Sequence, residues 1–369
     1  MKILRIISRI ITGILFIFSG TVKAIDPMGT VYKFQDYLQA FNLEFLTGFS
    51  FPAAIILCII EFTGGFCVLF NIRQKTGIRI ILIMMVIFTP LTFITALTNP
   101  VSDCGCFGDA IHLTNWQTFI KNIIILIPAI YLFVTREHII PHQGTTREWA
   151  IIAIMLLIFL SFMIYNLRYL PIIDFLPYKT GTYIPDKMII PEGAPADKYE
   201  TTFIYEKDDR LKEFTIDNYP ADDTTWKFID QKSVLVSKGY TPPIYDLTMV
   251  TLQGIDLTDH ILSSETTVLL MISRKLEDAD PELLRAGFDI GGFCRDNMIE
   301  FYVLTASVAD EVTKYTTGLT FCFTDETTLK TMIRSNPGYM LLEKGTIAGK
   351  WSWANIPDKE TLIKIINKQ

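Results

Sequence analysis

Hydrophobic and polar positions divide the chain into two regimes. Five apolar stretches come first, running from Leu4 to Ala24, Pro52 to Phe70, Ile78 to Leu97, Trp116 to Val134 and Trp149 to Leu170. A helix rising 1.5 Å per residue needs about 20 mostly apolar residues to cross a bilayer, so each predicts a membrane span. The first has no small-x-small cleavage site and four more follow, so it is read as a retained span. Between the first two, TVYKFQDYLQAF puts Val31, Phe34, Leu38 and Phe41 on one helical face. That predicts a short helix, either lying in the outer interface or packed on the bundle as a connector.

After Leu170 the period changes. TTFIYEKDDRLKEFTI alternates as two strands around KDDR, a hairpin pattern. From Pro242 strands and helices mix. TTVLLMISR reads as a buried strand, and DPELLRAGFDIGGFCRDNM as a helix started by Asp280 and Pro281, weakened by Gly291 and Gly292. IEFYVLTA and GLTFCFTDE are strands, Asp325 caps a further helix, and NPGYMLLEKGTIAGKWS turns back on itself at Lys344 and Gly345. Strand–helix–strand units closed by a hairpin predict an α/β sheet domain.

Charge separates the same two parts. Met1–Leu170 carries 12 Lys and Arg against 8 Asp and Glu, and the remainder 21 against 31, within a 369-residue chain of net charge −6. The soluble part has no basic stripe, which argues against nucleic-acid binding. Lys2, Arg5 and Arg9 precede the first span. Arg73, Lys75 and Arg79 lie between the second and third, and Arg136 and Arg147 between the fourth and fifth. The loop Thr98–Asn115 has no Lys or Arg. Basic loops stay inside, so the N-terminus is expected in the cytoplasm of an inner-membrane, multi-pass protein. The Thr98–Asn115 loop and the C-terminal domain are expected outside, in a compartment that permits disulfides. The bilayer is the first expected partner.

That outward loop reads NPVSDCGCFGDAIH. Cys104 and Cys106 flank one glycine, with Asp103, Asp109 and His112 nearby. A disulfide closing so small a ring is strained, and strained, exposed disulfides tend to be oxidising and labile. It would be a poor staple, because it removes almost no chain entropy. The two aspartates are expected to raise the thiol pKa values. Three readings stay open. One is dithiol/disulfide exchange that passes electrons between envelope thiols and a membrane acceptor such as a quinone. Another is metal capture by Cys104, Cys106 and His112 with a carboxylate, although the spacing is no standard zinc pattern and no metal is assigned. The third is a pair of packing thiols in a scaffold.

Within the second span, Glu61 stands near mid-membrane. It marks either a functional acid or a protonated carboxyl bonded to a neighbouring helix. Gly64 and Gly65 beside it allow close helix approach. Cys58 and Cys67 read as packing thiols on opposite faces of the span. Lys23, near the outer end of span one, is suited to hold an anionic group or pair with a carboxylate. Cys294 and Cys322 are a further conceivable pair, each in an apolar context. A metal site at His138 and His142 is disfavoured, because Pro141 interrupts the helix that would align them.

Two resemblances follow from these residues. FIFSGTVKAIDP, IEFTGGF and DCGCFGD make the membrane half, about Met1 to Val134, resemble the DoxX/MauE family of small redox-associated membrane proteins. The family has four helices, and the fifth span here departs from it, exporting the appended domain. From about Pro242 the chain resembles a thioredoxin-like domain, on TTVLLMISR and SNPGYMLLEKGTIAGKW, with Pro337 at the position of that fold's cis-proline. Where such folds carry Cys-x-x-Cys after the first strand, this chain reads SRKLEDADPE, without a thiol. The resemblance implies a domain that keeps the shape, lacks the dithiol and binds a partner.

The expected organisation is a four-helix DoxX/MauE-like bundle over 1–135, a cytoplasmic linker over 136–148 and a fifth span over 149–170. An extracytoplasmic β-rich connector follows over 171–240, then a thioredoxin-like α/β domain over 241–369. Cys104, Cys106 and Glu61 are the expected chemical residues. The expected function is dithiol/disulfide exchange with an envelope thiol protein. A membrane scaffold or receptor whose degenerate domain binds a partner is the alternative.

Overall fold

The computed structural model describes residues 2–101, 103–138, 145–207, 210–220, 223–237, 239–315 and 318–367. His142, Pro141 and the Asp208–Asp209 tip of the expected hairpin lie outside them. Among the described residues, five helices are long and apolar enough to cross a membrane. They are α1 (Lys2–Ile25), α3 (Ser50–Leu69), α4 (Gln74–Thr98), α5 (Asn115–Val134) and α6 (Thr145–Tyr169), with α2 (Pro27–Ala40) between the first two. Ile83, Ile87, Ile127 and Leu157 are exposed on this bundle, an apolar surface that suits lipid. The chain is a multi-pass membrane protein.

Helices α1 and α3 pack at backbone contact. A Cβ on Gly20 would meet the Phe62 backbone nitrogen at 2.8 Å, and one on Gly65 would meet that of Ile17 at 2.6 Å. Small residues thus draw together the polar faces carrying Ser19, Lys23 and Glu61. The fifth helix packs Phe159 on Phe62, with ring centroids 4.1 Å apart. Cys58 and Cys67 are both buried in α3, which neighbouring helices cover on several sides. The expected connector helix over 30–41 is the C-terminal part of α2, which starts earlier because Asp26 caps Gly29 and Pro27 occupies its first turn.

The remaining elements are α7 (Ile184–Met188), β1 (Lys198–Lys207), β2 (Arg210–Thr215), β3 (Lys227–Ser237), β4 (Val250–Thr251), α8 (Thr258–Ser263), β5 (Thr267–Ile272), α9 (Pro281–Asp296), β6 (Glu300–Thr305), α10 (Ala309–Val312), β7 (Thr320–Phe323), α11 (Glu326–Met332), β8 (Gly338–Glu343), β9 (Thr346–Ser352) and α12 (Lys359–Asn367). Residues 183–247 form a compact unit of their own, holding the antiparallel sheet β2-β1-β3. Its aromatic core packs Phe214 edge-to-face with Tyr205 and Trp226. Residues 1–182 and 248–369 form the other unit. These limits differ from the expected breaks at 171 and 241. Gly181 and Thr182 exchange backbone hydrogen bonds with Ile347, which keeps residues 171–182 with the second sheet.

That sheet has the order β4-β7-β6-β5-β8-β9. Central β5 pairs in parallel with β6 across α9 and antiparallel with β8, and β8–β9 is the expected hairpin, with Lys344 and Gly345 at positive φ. The Asn336–Pro337 peptide is cis. This is the thioredoxin-like arrangement. Helix α9 runs unbroken through its glycines, correcting the weakening read from the sequence. Gly287 and Gly291 face the sheet, where a Cβ would strike Met271 and Phe301, so close packing offsets their low propensity. Cys294 and Cys322 are free and buried, and burial pushes their thiols up to about 11 and about 12.

Candidate functional site

The segment after β5, where a thioredoxin carries its dithiol, is tied to the cis-proline turn. Ser273 donates to Asn336, and the Asn336 amide donates to the Lys275 carbonyl. Beside this turn, Arg334 reaches the end of the helical bundle that carries the Cys-Gly-Cys loop. It bonds Asp26 at 2.8 Å and Asp109 at 2.6 Å, with its side chain 6% exposed. Tyr32 of α2 accepts cation–π contacts from Arg274, Lys330 and Arg334 and bonds the Arg274 guanidinium. The thiol-free face of the thioredoxin-like domain is thus a cationic clamp on the loop's neighbourhood.

The loop itself is set by local chemistry. Thr114 starts α5 with a reciprocal capping box to Gln117, and the Asn115 amide donates to Asn99 and to the Val101 carbonyl. The Asp103 carboxylate accepts the Gly105 amide at 2.9 Å, and Gly105 sits at φ +64°, where a Cβ would also meet Lys33 at 2.9 Å. That tight turn brings the Cys104 and Cys106 sulfurs to 3.2 Å, both as free thiols.

Below the loop, Lys23 and Glu61 form a buried ion pair. Their residues are only 4% and 6% exposed. The Lys23 ammonium lies 2.9 and 2.7 Å from the two Glu61 oxygens and 2.8 Å from the Ser19 hydroxyl. Lys23 also donates to the Cys106 carbonyl at 2.6 Å, and Ser19 to the same oxygen at 2.8 Å. The intramembrane pair therefore holds the dithiol loop directly. Glu61 is thus the carboxylate that Lys23 was suited to pair with, and it meets a charged group rather than a neutral one on the neighbouring helix.

The expected effect of the two aspartates on the thiols needs correction. Asp109 is neutralised by Arg334, and Asp103 accepts from Lys33 at 3.0 Å with His112 3.7 Å away. Burial raises the Asp103 carboxyl, but His112 and Lys33 outweigh it and hold it down at about 2. The thiols split. The hydrogen bond from Cys104, then the Lys121 and Lys23 cations, outweigh burial and pull Cys106 down to about 6. The same bond and burial push Cys104 above its ordinary range. His112 is engaged with Asp103, and among the described residues no three His, Cys, Asp or Glu side chains converge on a metal-sized site.

Lys121, Ser19, Tyr37 and Arg334 escaped the sequence reading. Lys121 carried a signal, being a cation six positions inside an apolar helix. Its ammonium lies over the Phe107 ring, 4.5 Å from the centroid. A measurable consequence concerns alkylation of the reduced protein by iodoacetamide. Only the thiolate reacts, so the Cys106 rate is expected to rise with pH through about 6, well below a free thiol. Lys121→Met is expected to move that midpoint upward by about one unit. A midpoint near that of glutathione in the wild-type protein would refute the split.

Residues 1–135 match the family described as methylamine utilisation protein MauE, and residues 199–238 match a domain of unknown function, DUF8463. Protein TlpB of Flavobacterium psychrophilum is 33% identical over 129 residues, 34% of this chain. The match spans only 35% of the length of that curated relative. A Neisseria meningitidis protein with a solution structure described as a candidate thioredoxin covers 33% of this chain and 86% of its own, at 16% identity and a TM-score of 0.27. The thioredoxin-like assignment therefore stands on strand order and the cis-proline rather than on that score. Residues 1–135 are thus similar to the MauE family, and the second sheet has the thioredoxin-like strand order.

Proposed function

We propose that this protein carries out dithiol/disulfide exchange at Cys104 and Cys106 on the extracytoplasmic side of the inner membrane, delivering electrons to an acceptor in the membrane. One observation carries the reading: two free thiols 3.2 Å apart rest on a buried Lys–Glu pair through the Cys106 carbonyl. A packing role needs neither the thiol contact nor charges held inside the membrane, which are costly to keep there. In this reading Cys106 is the reactive thiolate and Cys104 the resolving thiol. Each cycle moves two protons with the two electrons, and Glu61 with Lys23 takes part in their transfer. The thioredoxin-like domain has no thiol at its usual site; it clamps the loop through Arg334 and presents a partner surface.

The test is a redox titration of the full-length protein in glutathione buffers, with the thiol state read by mass-tagging, beside membrane-impermeant maleimide labelling of cells with a permeabilised outer membrane. The pair is expected to titrate as one two-electron couple, and Cys106 to be labelled from outside. Thiols that stay reduced across the buffer range, or that only cytoplasmic reagent reaches, would sink the proposal.

A further inference from the structure

A cavity of about 280 Å³ opens among α1, α2, α3, α4, α5 and the Cys-Gly-Cys loop. Cys104 and Cys106 line it, as do Lys23, Glu61 and Lys121. Its walls are otherwise largely apolar, from Phe34, Leu57, Met85 and Phe88 among others. Two hydroxyls of its lining, those of Tyr37 and Thr30, are buried without a hydrogen-bond partner. Tyr37 also lies within reach of the Cys104 thiol, which would compete with a ligand for its proton. Buried hydroxyls are nearly always satisfied, so orphaned ones lining a cavity point to a ligand that accepts from them.

Size and chemistry narrow the occupant. An apolar cavity of about 150 Å³ is enough to bind benzene, so this one holds a single substituted ring and excludes a folded polypeptide. The ring must be lipophilic to suit the walls, and must carry oxygen acceptors for the hydroxyls. We infer that the cavity is the binding site of a quinone, the membrane acceptor of the dithiol. The Tyr37 and Thr30 hydroxyls donate to its carbonyl oxygens. This rests on the exchange reading above and specifies its acceptor. The step balances. The Cys104 S–H bond breaks, a sulfur–sulfur bond forms with the Cys106 thiolate, and two electrons pass to the quinone, which takes the Cys104 proton and the proton released when Cys106 ionised and becomes the quinol. Phe41, exposed at the cavity rim, marks the side from which an isoprenoid tail can trail.

The test uses the reduced full-length protein under anaerobic conditions, with decylubiquinone as probe. Quinol formation is followed in the ultraviolet, free thiols by mass-tagging, and oxidation by glutathione disulfide is measured in parallel. One quinol is expected per chain, with two thiols lost. Met85→Trp fills the cavity and is expected to lower the ratio of quinone-driven to glutathione-driven oxidation by roughly tenfold or more. Tyr37→Phe removes one donor and is expected to raise the half-saturating quinone concentration about fivefold. In the Cys104→Ser protein, which cannot close the internal disulfide, decylubiquinone is expected to slow maleimide labelling of Cys106 in a saturable way. If glutathione disulfide oxidises the pair but no quinol forms, or both cavity variants leave the ratio and half-saturation unchanged, the quinone site is overturned and the exchange reading survives. If neither oxidant acts on the pair, the exchange reading itself fails and the quinone site falls with it.

Discussion

Cys104→Ser is expected to accumulate a covalent, reductant-sensitive adduct between Cys106 and an envelope thiol protein. Exchange runs through a mixed disulfide that the second thiol resolves, so removing the resolving group stalls it. The two cysteines are not equivalent here. Cys106 is held as a thiolate at neutral pH by the Cys104 hydrogen bond and by Lys121 and Lys23. Serine keeps a donor hydroxyl where the Cys104 thiol was, so most of that stabilisation persists. Cys104 stays protonated, because the shared hydrogen bond and burial both push it up. Cys106→Ser is therefore expected to yield at least about tenfold less adduct at pH 7, in proportion to its smaller thiolate fraction. Non-reducing gels of membranes after acid quenching measure both. Equal trapping by the two variants would refute the assignment of roles, and no adduct from either would count against exchange altogether.

The second large effect is expected at the buried ion pair. Glu61→Gln alone leaves the Lys23 ammonium without its counter-charge, and Lys23→Gln alone strands the carboxylate. Breaking a buried pair from one side typically costs about 3–5 kcal/mol. Either single variant should therefore insert poorly or unfold early, whatever the pair's role. The combined Lys23→Gln/Glu61→Gln protein separates the readings. Both amides keep donors and acceptors for Ser19 and the Cys106 carbonyl, while no buried charge remains. Stability, followed by thermal unfolding in detergent, is expected to recover to within about 1–2 kcal/mol of wild type. Turnover is expected to stay reduced by at least about a hundredfold, since the pair proposed to take part in proton transfer is gone. A stable double variant with full turnover would return the pair to a purely structural role.

Several features of the site were legible in the chain itself. The two cysteines around one glycine, a lysine near the end of one span and a glutamate inside the next each stand out against their setting. A charge or reactive pair in an apolar run has few innocuous explanations. The partners that give these residues their chemistry were less visible. Ser19 and Tyr37 look ordinary in an amphipathic helix, and Arg334 is one basic residue among many in the soluble part. Lys121 was the exception, a legible signal passed over. The expected influence of Asp103 and Asp109 failed for the same reason. Their charges were counted without the Lys33 and Arg334 that neutralise them, which approach from 70 and 225 residues away in the chain.

By itself the sequence determined what depends on period and local chemistry. Runs of apolar residues long enough for a bilayer specify five spans, because a single segment satisfies all its backbone hydrogen bonds in lipid only as a helix. Alternation after Leu170 specifies strands, and Asp280 and Asp325 specify helix starts through their caps. Only the tertiary structure decided which of the six cysteines are buried alone and which two lie together. Thiol acidity depends on the balance between burial and nearby charge, and both are properties of packing. Cys58, Cys67, Cys294 and Cys322 are buried, whereas a turn at Gly105 and an ion pair spanning two helices bring Cys106 into a cationic field. That field is assembled from Lys23 of α1 and Lys121 of α5, which are distant in sequence and are brought together only by the packing of the bundle.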